Sequence, residues 1–234
     1  MTKLADISHY VMRTAWKRQL QISGLVEIVS DHLFHQIADL VHARTVATIQ
    51  EMANDSESSE FASMFDGYPQ EEAATAAAVY PNVLLSSLFA SSYFFFEYDL
   101  NRVCHLLRDA QQYELKLGDI SGSGIHRAKT YLNKVAGIPF PEDAALWQEI
   151  VSYGQLRNLI SHNGGVLDSS DAARKADLFV RGHSQLAIND EGWVTLSPEF
   201  VVDVSYKLQD AFLVLDLQLN EWRGVDLDID ELEE

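Results

Sequence analysis

Apolar residues recur at steps of three and four along most of the chain, the spacing that places side chains on one face of an α-helix. In residues 4–52 this pattern predicts one or two helices. The residues that carry the pattern there are Ile22, Val26, Val29, Leu33, Ile37 and Leu40. Residues 54–72 are acidic and rich in Ser, which predicts a loop. A long helix is then predicted for about residues 82–116, opening at Pro81-Asn82.

Three further helices are predicted from their end signals. The first covers residues 126–135, between a Ser-Gly-rich break and Gly137. The second covers residues 141–163, because proline and acids suit a first turn and two glycines after Asn163 tolerate a left-handed cap. The third is the last helix, for which Ser197 is the cap and proline the first helical residue.

Short β-like runs precede the last helix. They cover residues 178–181, 185–188 and 193–196, and the polar residues 189–192 can turn between the last two. The sequence therefore predicts a mainly α fold with a small C-terminal β-hairpin before the last helix. We expect an N-terminal helical segment and acidic loop at 1–72, a helical domain at 73–222 and an acidic tail at 223–234.

Composition narrows the functions that this fold can serve. The net charge of −18 at pH 7 opposes unguided binding to polyanions, so a nucleic-acid binder that works by bulk charge is disfavoured. A small, locally basic active site remains compatible with it. The single cysteine, Cys104, provides no disulfide framework, which fits a reducing cytoplasm, and no Cys/His spacing typical of zinc is present.

Two stretches bear on location. The N-terminus carries charge where a signal peptide needs an apolar run, so we expect a cytoplasmic protein. Residues 73–96 are uncharged, but Pro81, Asn82 and several serines interrupt them. The strongly apolar part, residues 83–96, is shorter than the roughly 20 residues of a membrane span, which favours a buried core helix.

The segment Arg157-Asn158-Leu159-Ile160-Ser161-His162 combines two groups that can cut RNA without metal. Arginine can grip a phosphate through two hydrogen bonds, and histidine exchanges a proton near neutral pH. A base takes the proton of the ribose 2′-OH, an acid protonates the leaving 5′-oxygen, and a cation stabilises the charged intermediate. Arg157 and His162 are the candidates, with Asn158 as a positioning group.

The spacing of Arg157 and His162 arises by chance about once in a chain of this composition, so the context of the pair carries the argument. The pair ends an amphipathic helix, where unpaired carbonyls and the negative end of the helix dipole favour a protonated imidazole. The alternative interpretation is that His162 helps to cap the helix and Arg157 lies on a solvated face.

The segment RNLISHNGG resembles the R-x(4–6)-H signature of the HEPN superfamily, in which a polar residue, often Asn, follows the Arg. The segment SSYFFFEYDLNRVCHLL is similar to an earlier core helix of that family, which often carries an acid in an aromatic setting, and Glu97 occupies this place. The hairpin followed by SPEFVVDV looks like the ending of some prokaryotic members. The resemblance covers about residues 82–220.

The resemblance implies a HEPN-like helical bundle that dimerises and places two motifs across a shared cleft. It implies metal-independent RNA cleavage without a cofactor, as in toxins and defence effectors, with an antitoxin or defence protein as a possible partner. Some members have lost catalysis, so a non-catalytic interaction or regulatory subunit is the alternative. The −18 charge and the long amphipathic N-terminal helix favour that alternative.

Other residues are candidates for supporting roles. Glu97 and Asp99 lie in an aromatic helix, where Glu97 can orient Arg157 through an ion pair, or can instead face water. The locally basic stretch offers possible RNA contacts, namely Arg127, Lys129 and Lys134, next to His126. Asp31, His35, Asp39 and His42 have a spacing that can bind zinc, but a polar helix face explains them more simply, and we expect no metal.

Overall fold

The computed structural model describes residues 4–54, 62–141 and 144–226. Within these ranges most residues are helical, and two short strands pair just before the last helix. The prediction of a mainly α fold with a small hairpin in this position is confirmed.

The N-terminal region is helical from Leu4 to Asn54. It consists of α1 (Leu4–Tyr10), α2 (Lys17–Ile28) and α3 (Phe34–Asn54). Two π-helical segments join them, Val11–Trp16 and Val29–Leu33. Because a π-helix bonds each residue to the fifth one along, these segments shift the helix face that follows.

Helix α4 (Tyr68–Gln111) is 44 residues long and begins well before the predicted start at Pro81-Asn82. Pro81 lies inside it and removes one backbone hydrogen bond, but the Ala-rich residues ahead of it are strong helix formers. Asn82 donates to the Val194 carbonyl at 3.2 Å and accepts from the Leu196 N–H at 3.0 Å, so it ties α4 to the hairpin. The helix runs through the boundary predicted at residues 72 and 73.

Two predicted helices are confirmed in the middle of the chain, α5 (Gly124–Lys134) and α6 (Ala144–Asn163). Helix α6 ends where the sequence predicted, because Gly164 and Gly165 have φ values of 61° and 79° that favour glycine. Two 3₁₀ turns, Ala62–Phe65 and Leu117–Asp119, flank α4.

Helix α7 (Asp171–Gly182) replaces the strand that was predicted at residues 178–181, so that prediction is wrong. The Ser170 hydroxyl caps the helix by accepting from the Ala173 N–H at 3.1 Å. Its buried side chains are Ala173, Ala176 and Val180, at steps of three and four. Apolar residues at 178–180 resemble a strand when read alone, and the helical period appears only over the longer window.

The hairpin consists of β1 (Leu186–Ile188) and β2 (Val194–Leu196), which pair antiparallel as predicted. Helix α8 (Pro198–Asp226) follows, and the Ser197 hydroxyl accepts from the Phe200 N–H at 3.2 Å. The predicted cap is therefore confirmed. Most of the predicted acidic tail, residues 227–234, lies outside the described residues.

Helices α4 and α8 run side by side through the core. Phe89 packs on Phe200 with ring centroids 5.6 Å apart, and Phe96 packs on Phe212 at 5.1 Å. Residues of α1, α2 and the π-helical segment between them belong to the same buried cluster. The N-terminal region thus shares its core with the rest of the chain. By length and composition alone, α4 also meets the requirements of a membrane span.

Candidate functional site

Near its end, α6 buries one face in the core and exposes the opposite face to solvent. Leu156 and Leu159 are buried, while Asn158, Ser161 and His162 are exposed. Residues four apart lie one above the other on a helix, so Arg157 and Ser161 form one row and Asn158 and His162 form the next. Because α6 remains helical to Asn163, Arg157 and His162 stay in these two separate rows.

Arg157 is held on three sides and still open to solvent. Its Nη2 lies 4.0 Å from Glu97 Oε2, and its Nη1 donates to Asn158 Oδ1 at 2.9 Å. Its guanidinium carbon lies 5.9 Å from the ring centroid of Tyr93. The side chain keeps 26% of its exposure. Glu97 thus faces Arg157 as expected, at the outer limit of an ion-pair distance, and the guanidinium stays partly open to solvent.

Tyr93 forms the wall behind the guanidinium. It is buried against Gly154, where an added Cβ would lie 2.9 Å from Tyr93 Cζ. Burial and the nearby Glu97 carboxylate raise the pKa of Tyr93, and Arg157 opposes them in part, so the phenol stays neutral. The contact of Tyr93 with Gly154 was not predicted, although a glycine inside a helix is a signal of close packing.

Three adjoining clefts surround this face of α6, and we name them by the neighbouring helix. The α4 cleft, about 370 Å³, is lined by Ala90, Ser91, Phe94, Arg157, Ser161 and His162. The α7 cleft, about 250 Å³, is lined by Gln155, Asn158, His162, Asp171, Ala172 and Lys175. The α5 cleft, about 410 Å³, is lined by Tyr93, Glu97, Ser123, Gly124, Ile125, His126, Val151, Gly154, Gln155, Arg157, Asn158 and Lys175.

Each of the three predicted catalytic residues borders two of these clefts. Arg157 lines the α4 and α5 clefts, Asn158 lines the α5 and α7 clefts, and His162 lines the α4 and α7 clefts. A phosphate in the α4 cleft would therefore have both a fixed cation and an imidazole on its walls. This arrangement can hold an anion and exchange a proton beside it.

Two further side chains reach the site from other helices. His126, in the first turn of α5, lines the α5 cleft and packs edge-on to Trp147 at 5.6 Å. Lys175 of α7 lines the α5 and α7 clefts, and its Nζ lies 2.5 Å from Asp171 Oδ2. His126 was predicted only as part of a basic stretch, and Lys175 was not predicted because α7 was not.

Asp99, expected to support Arg157, belongs to a different cluster. Arg18 Nη1 donates to both of its carboxylate oxygens at 2.8 Å, and the Tyr10 hydroxyl donates at 2.6 Å. Two residues along a helix rotate a side chain by about 200°, so Asp99 faces α1 and α2 when Glu97 faces α6. The expectation for Asp99 is therefore corrected, and its role is to join helices.

The basic stretch of α5 does not reach the face of Arg157. The Arg127 guanidinium donates to the Gly122 carbonyl at 2.9 and 2.6 Å. The Lys129 ammonium lies 4.4 Å from the Trp147 ring centroid, and burial lowers its pKa. Lys134 is exposed at the far end of α5. None of these three residues lines the clefts, whereas the neighbouring His126 lines the α5 cleft.

The described side chains contain no group of three or more His, Cys, Asp or Glu that could hold a metal ion. The side chain of His35, one of the residues considered for zinc, lies outside the described set.

Comparisons with known proteins found no relative of this chain. No family model, no curated protein and no solved structure matches the chain. The geometry of the clefts and the resemblance of the α6 motif are therefore the two grounds for a functional interpretation.

Proposed function

We propose that the chain is a metal-independent endoribonuclease of the HEPN type, acting as a toxin or defence effector. The observation that carries the proposal is the position of Arg157, Asn158 and His162, each on the border between two of three adjoining clefts. The contacts of Arg157 with Glu97 at 4.0 Å and with Asn158 at 2.9 Å support a guanidinium that is oriented towards the clefts.

In the proposed reaction a base removes the proton of the ribose 2′-OH, and the 2′-oxygen bonds to phosphorus. The bond from phosphorus to the 5′-oxygen breaks, and an acid gives that oxygen a proton. His162 is one of the two proton carriers. Arg157 stabilises the charge on the non-bridging oxygens, and Asn158 positions the guanidinium. The products carry a 2′,3′-cyclic phosphate and a 5′-hydroxyl.

The second proton carrier is supplied by a second copy of the chain in this proposal. One face of α4 beside the α4 cleft exposes large apolar side chains, since Val83, Phe94 and Tyr98 each keep 53% of their exposure. We propose this face as the homodimer contact, with the two motifs across one cleft. Helix α6 buries Trp147, Ile150 and Tyr153 in the core of its own chain, so we assign most of the proposed contact to α4.

The test of the activity is incubation with end-labelled RNA in EDTA, followed by analysis of the product ends. We expect cleavage that needs no metal and leaves a 2′,3′-cyclic phosphate. Failure of the wild-type protein to cleave under any partner condition, or cleavage that requires metal and leaves a 5′-phosphate, would contradict the proposal.

The test of the shared site mixes two inactive proteins, Arg157→Ala and His162→Ala. If the cleft needs groups from both chains in different roles, the mixture recovers activity that neither protein has alone. Light scattering gives the stoichiometry of each sample. A monomer that cleaves RNA at the full rate at nanomolar concentration would contradict the dimer.

The second candidate function is a non-catalytic regulatory subunit that binds a partner protein. It is favoured by an apolar groove of about 430 Å³ between α3 and α4, lined by Leu33, Ile37, Leu40, Val41, Tyr80, Val83 and Leu84. Since α1 and α2 contribute to the core, deletion of residues 1–52 would unfold the chain, and the exposed Leu40 is the better probe. A phenotype lost with Leu40→Asp but retained with Arg157→Ala and His162→Ala would support this function over the nuclease.

A further inference from the structure

We propose that the α5 cleft binds a backbone phosphate of the RNA strand, next to the phosphate that is cleaved beside His162. The inference rests on the proposed function, and it adds two residues to the substrate contacts, His126 and Lys175. The cleft is distinct from the α4 cleft, because Arg157 separates the two and lines both.

The lining of the α5 cleft is rich in basic side chains. Three helices each contribute one basic side chain to its wall, namely His126 from α5, Arg157 from α6 and Lys175 from α7. The one carboxylate among the lining residues is Glu97, which already faces Arg157 at 4.0 Å. Asp171 lies outside this lining and pairs with Lys175 at 2.5 Å. Among the lining residues, two permanent cations and a histidine accompany one carboxylate, and in a chain with a net charge of −18 this composition favours an anionic ligand.

The neutral groups of the cleft are donors of the kind that phosphate oxygens accept. The wall includes the hydroxyl of Ser123, which makes no capping hydrogen bond, and the amides of Gln155 and Asn158. Ser123 and Gly124 also begin α5, whose first N–H groups have no partner within the helix. Arg127 fixes this turn through its two bonds to the Gly122 carbonyl, so the donors are held in place.

The size and position of the α5 cleft also suit a strand of RNA. The cleft of about 410 Å³ falls in the range of roughly 300 to 1,000 Å³ that is usual for ligand sites. A strand that leaves the α4 cleft passes over Arg157 and enters the α5 cleft, so one guanidinium contacts two successive parts of the backbone. The Lys175–Asp171 pair is exposed, and an exposed ion pair contributes little, which leaves Lys175 available to a phosphate.

The experiment measures binding of a 2′-O-methyl RNA oligonucleotide, which lacks the nucleophile and cannot be cleaved. Wild type, Lys175→Ala and His126→Ala are compared over a salt series, each checked for an unchanged circular dichroism spectrum. Arg174→Ala is the matched control, because Arg174 is the neighbouring basic residue of α7, is 68% exposed and lines none of the three clefts.

We expect Lys175→Ala to weaken binding about fivefold or more at low salt and to reduce the slope of log affinity against log salt by about 0.7, the value for one phosphate contact on a single strand. His126→Ala should weaken binding in the same direction. Arg174→Ala should change neither quantity. Adenosine monophosphate serves as a second probe, and tight binding of it with no competition by the oligonucleotide would overturn the assignment to a strand.

The inference and the proposed function fail in different ways. Wild-type cleavage together with unchanged affinity and salt slope in both Lys175→Ala and His126→Ala would overturn the phosphate site and leave the nuclease intact. Lys175-dependent binding without any wild-type cleavage would support the phosphate site and refute the nuclease.

Discussion

Two arginine–carboxylate pairs lie on opposite sides of α4, and they differ in how far water reaches them. Asp99 has no exposed side chain, and Arg18 Nη1 contacts both of its oxygens at 2.8 Å. Glu97 is 30% exposed, and its nearest contact with Arg157 is 4.0 Å. The same type of ion pair therefore joins α4 to α1 and α2 on one side of α4. On the other side it lies beside an arginine that is open to solvent.

The neighbours of the two arginines agree with this division. The Arg18 guanidinium lies over Phe95 at 4.8 Å and near Tyr98 at 5.9 Å. Its charge is therefore surrounded by partners from the same chain, namely these two rings and the Asp99 carboxylate. The Arg157 guanidinium has Tyr93 on one side but borders two clefts on the others. Substitutions at the two sites should therefore separate stability from activity.

The largest expected effect is on the rate of RNA cleavage, when Arg157 of the solvent-exposed pair is replaced. Arg157→Ala should lower the rate of RNA cleavage by about 100- to 1,000-fold, because the reaction loses its main charge stabiliser. Its free energy of unfolding should change by less than about 1 kcal/mol, since the pair with Glu97 is partly exposed. Initial rates and urea unfolding measure the two quantities. A rate within about threefold of wild type would refute the assigned role.

The next largest effect is on the free energy of unfolding, when Asp99 of the buried pair is replaced. Asp99→Ala should lower the free energy of unfolding by about 2 to 3 kcal/mol, because it leaves Arg18 and the Tyr10 hydroxyl without their acceptor. The cleavage rate per folded molecule should not change. Asp99→Asn keeps one acceptor and serves as the milder control. Loss of activity without loss of stability would place Asp99 in the site after all.

A packing change beneath Arg157 should affect both properties. Gly154→Ala places a methyl group against Tyr93, and such overpacking costs about 1 to 3 kcal/mol. Because Tyr93 is the wall behind the guanidinium, cleavage should fall as well. The double variant with Tyr93→Ala should show a favourable coupling energy relative to the single changes. Purely additive effects would mean that the two residues do not meet.

Removal of the Glu97 carboxylate should lower the cleavage rate less than removal of the Arg157 guanidinium. Glu97→Ala should reduce cleavage by about tenfold, because the guanidinium loses part of its orientation. Glu97→Gln keeps an acceptor oxygen and should fall between wild type and Glu97→Ala. The unfolding free energies of all three proteins should agree within about 1 kcal/mol. Equal rates for the three would show that Asn158 alone positions Arg157.

The smallest effect is the pH dependence that the buried pair confers. Burial raises the pKa of Asp99, and its bonds to Tyr10 and Arg18 oppose this only in part. A raised carboxyl pKa gives stability that is complete below the unfolded value of about 4 and is lost as the pH rises through the folded value. The free energy of unfolding of wild type, relative to that of Asp99→Asn, should therefore be higher at about pH 3 than at pH 7. A difference that grows with pH would contradict the direction of the shift.

Local signals in the sequence account for what was predicted correctly. The glycines after Asn163 predicted the end of α6, and Ser197-Pro198 predicted the start of α8, because caps depend on only a few neighbouring residues. The start of α4 was missed because an alanine-rich segment carries helix propensity without an apolar stripe, and Pro81 was a false start signal.

The composition of the site depends on contacts that no local pattern specifies. Glu97 and Asp99 have the same type of side chain in one aromatic helix, and only the packing of α1, α2 and α6 decides which of them meets Arg157. His126 and Lys175 lie 49 residues apart in sequence, and only the folded chain brings them to one cleft. The motif and its approach to Glu97 could be predicted from sequence, whereas the contributions of His126 and Lys175 to the cleft could not.

The most direct test of the nuclease site is the single-turnover rate of RNA cleavage in EDTA by His162→Ala, compared with wild type and with His105→Ala. His105 is an exposed histidine of α4 that lines none of the three clefts, so its removal controls for the loss of an imidazole. We predict a loss of about 100-fold or more for His162→Ala, the usual contribution of a proton carrier, and none for His105→Ala. Cleavage by His162→Ala at the wild-type rate would contradict the account.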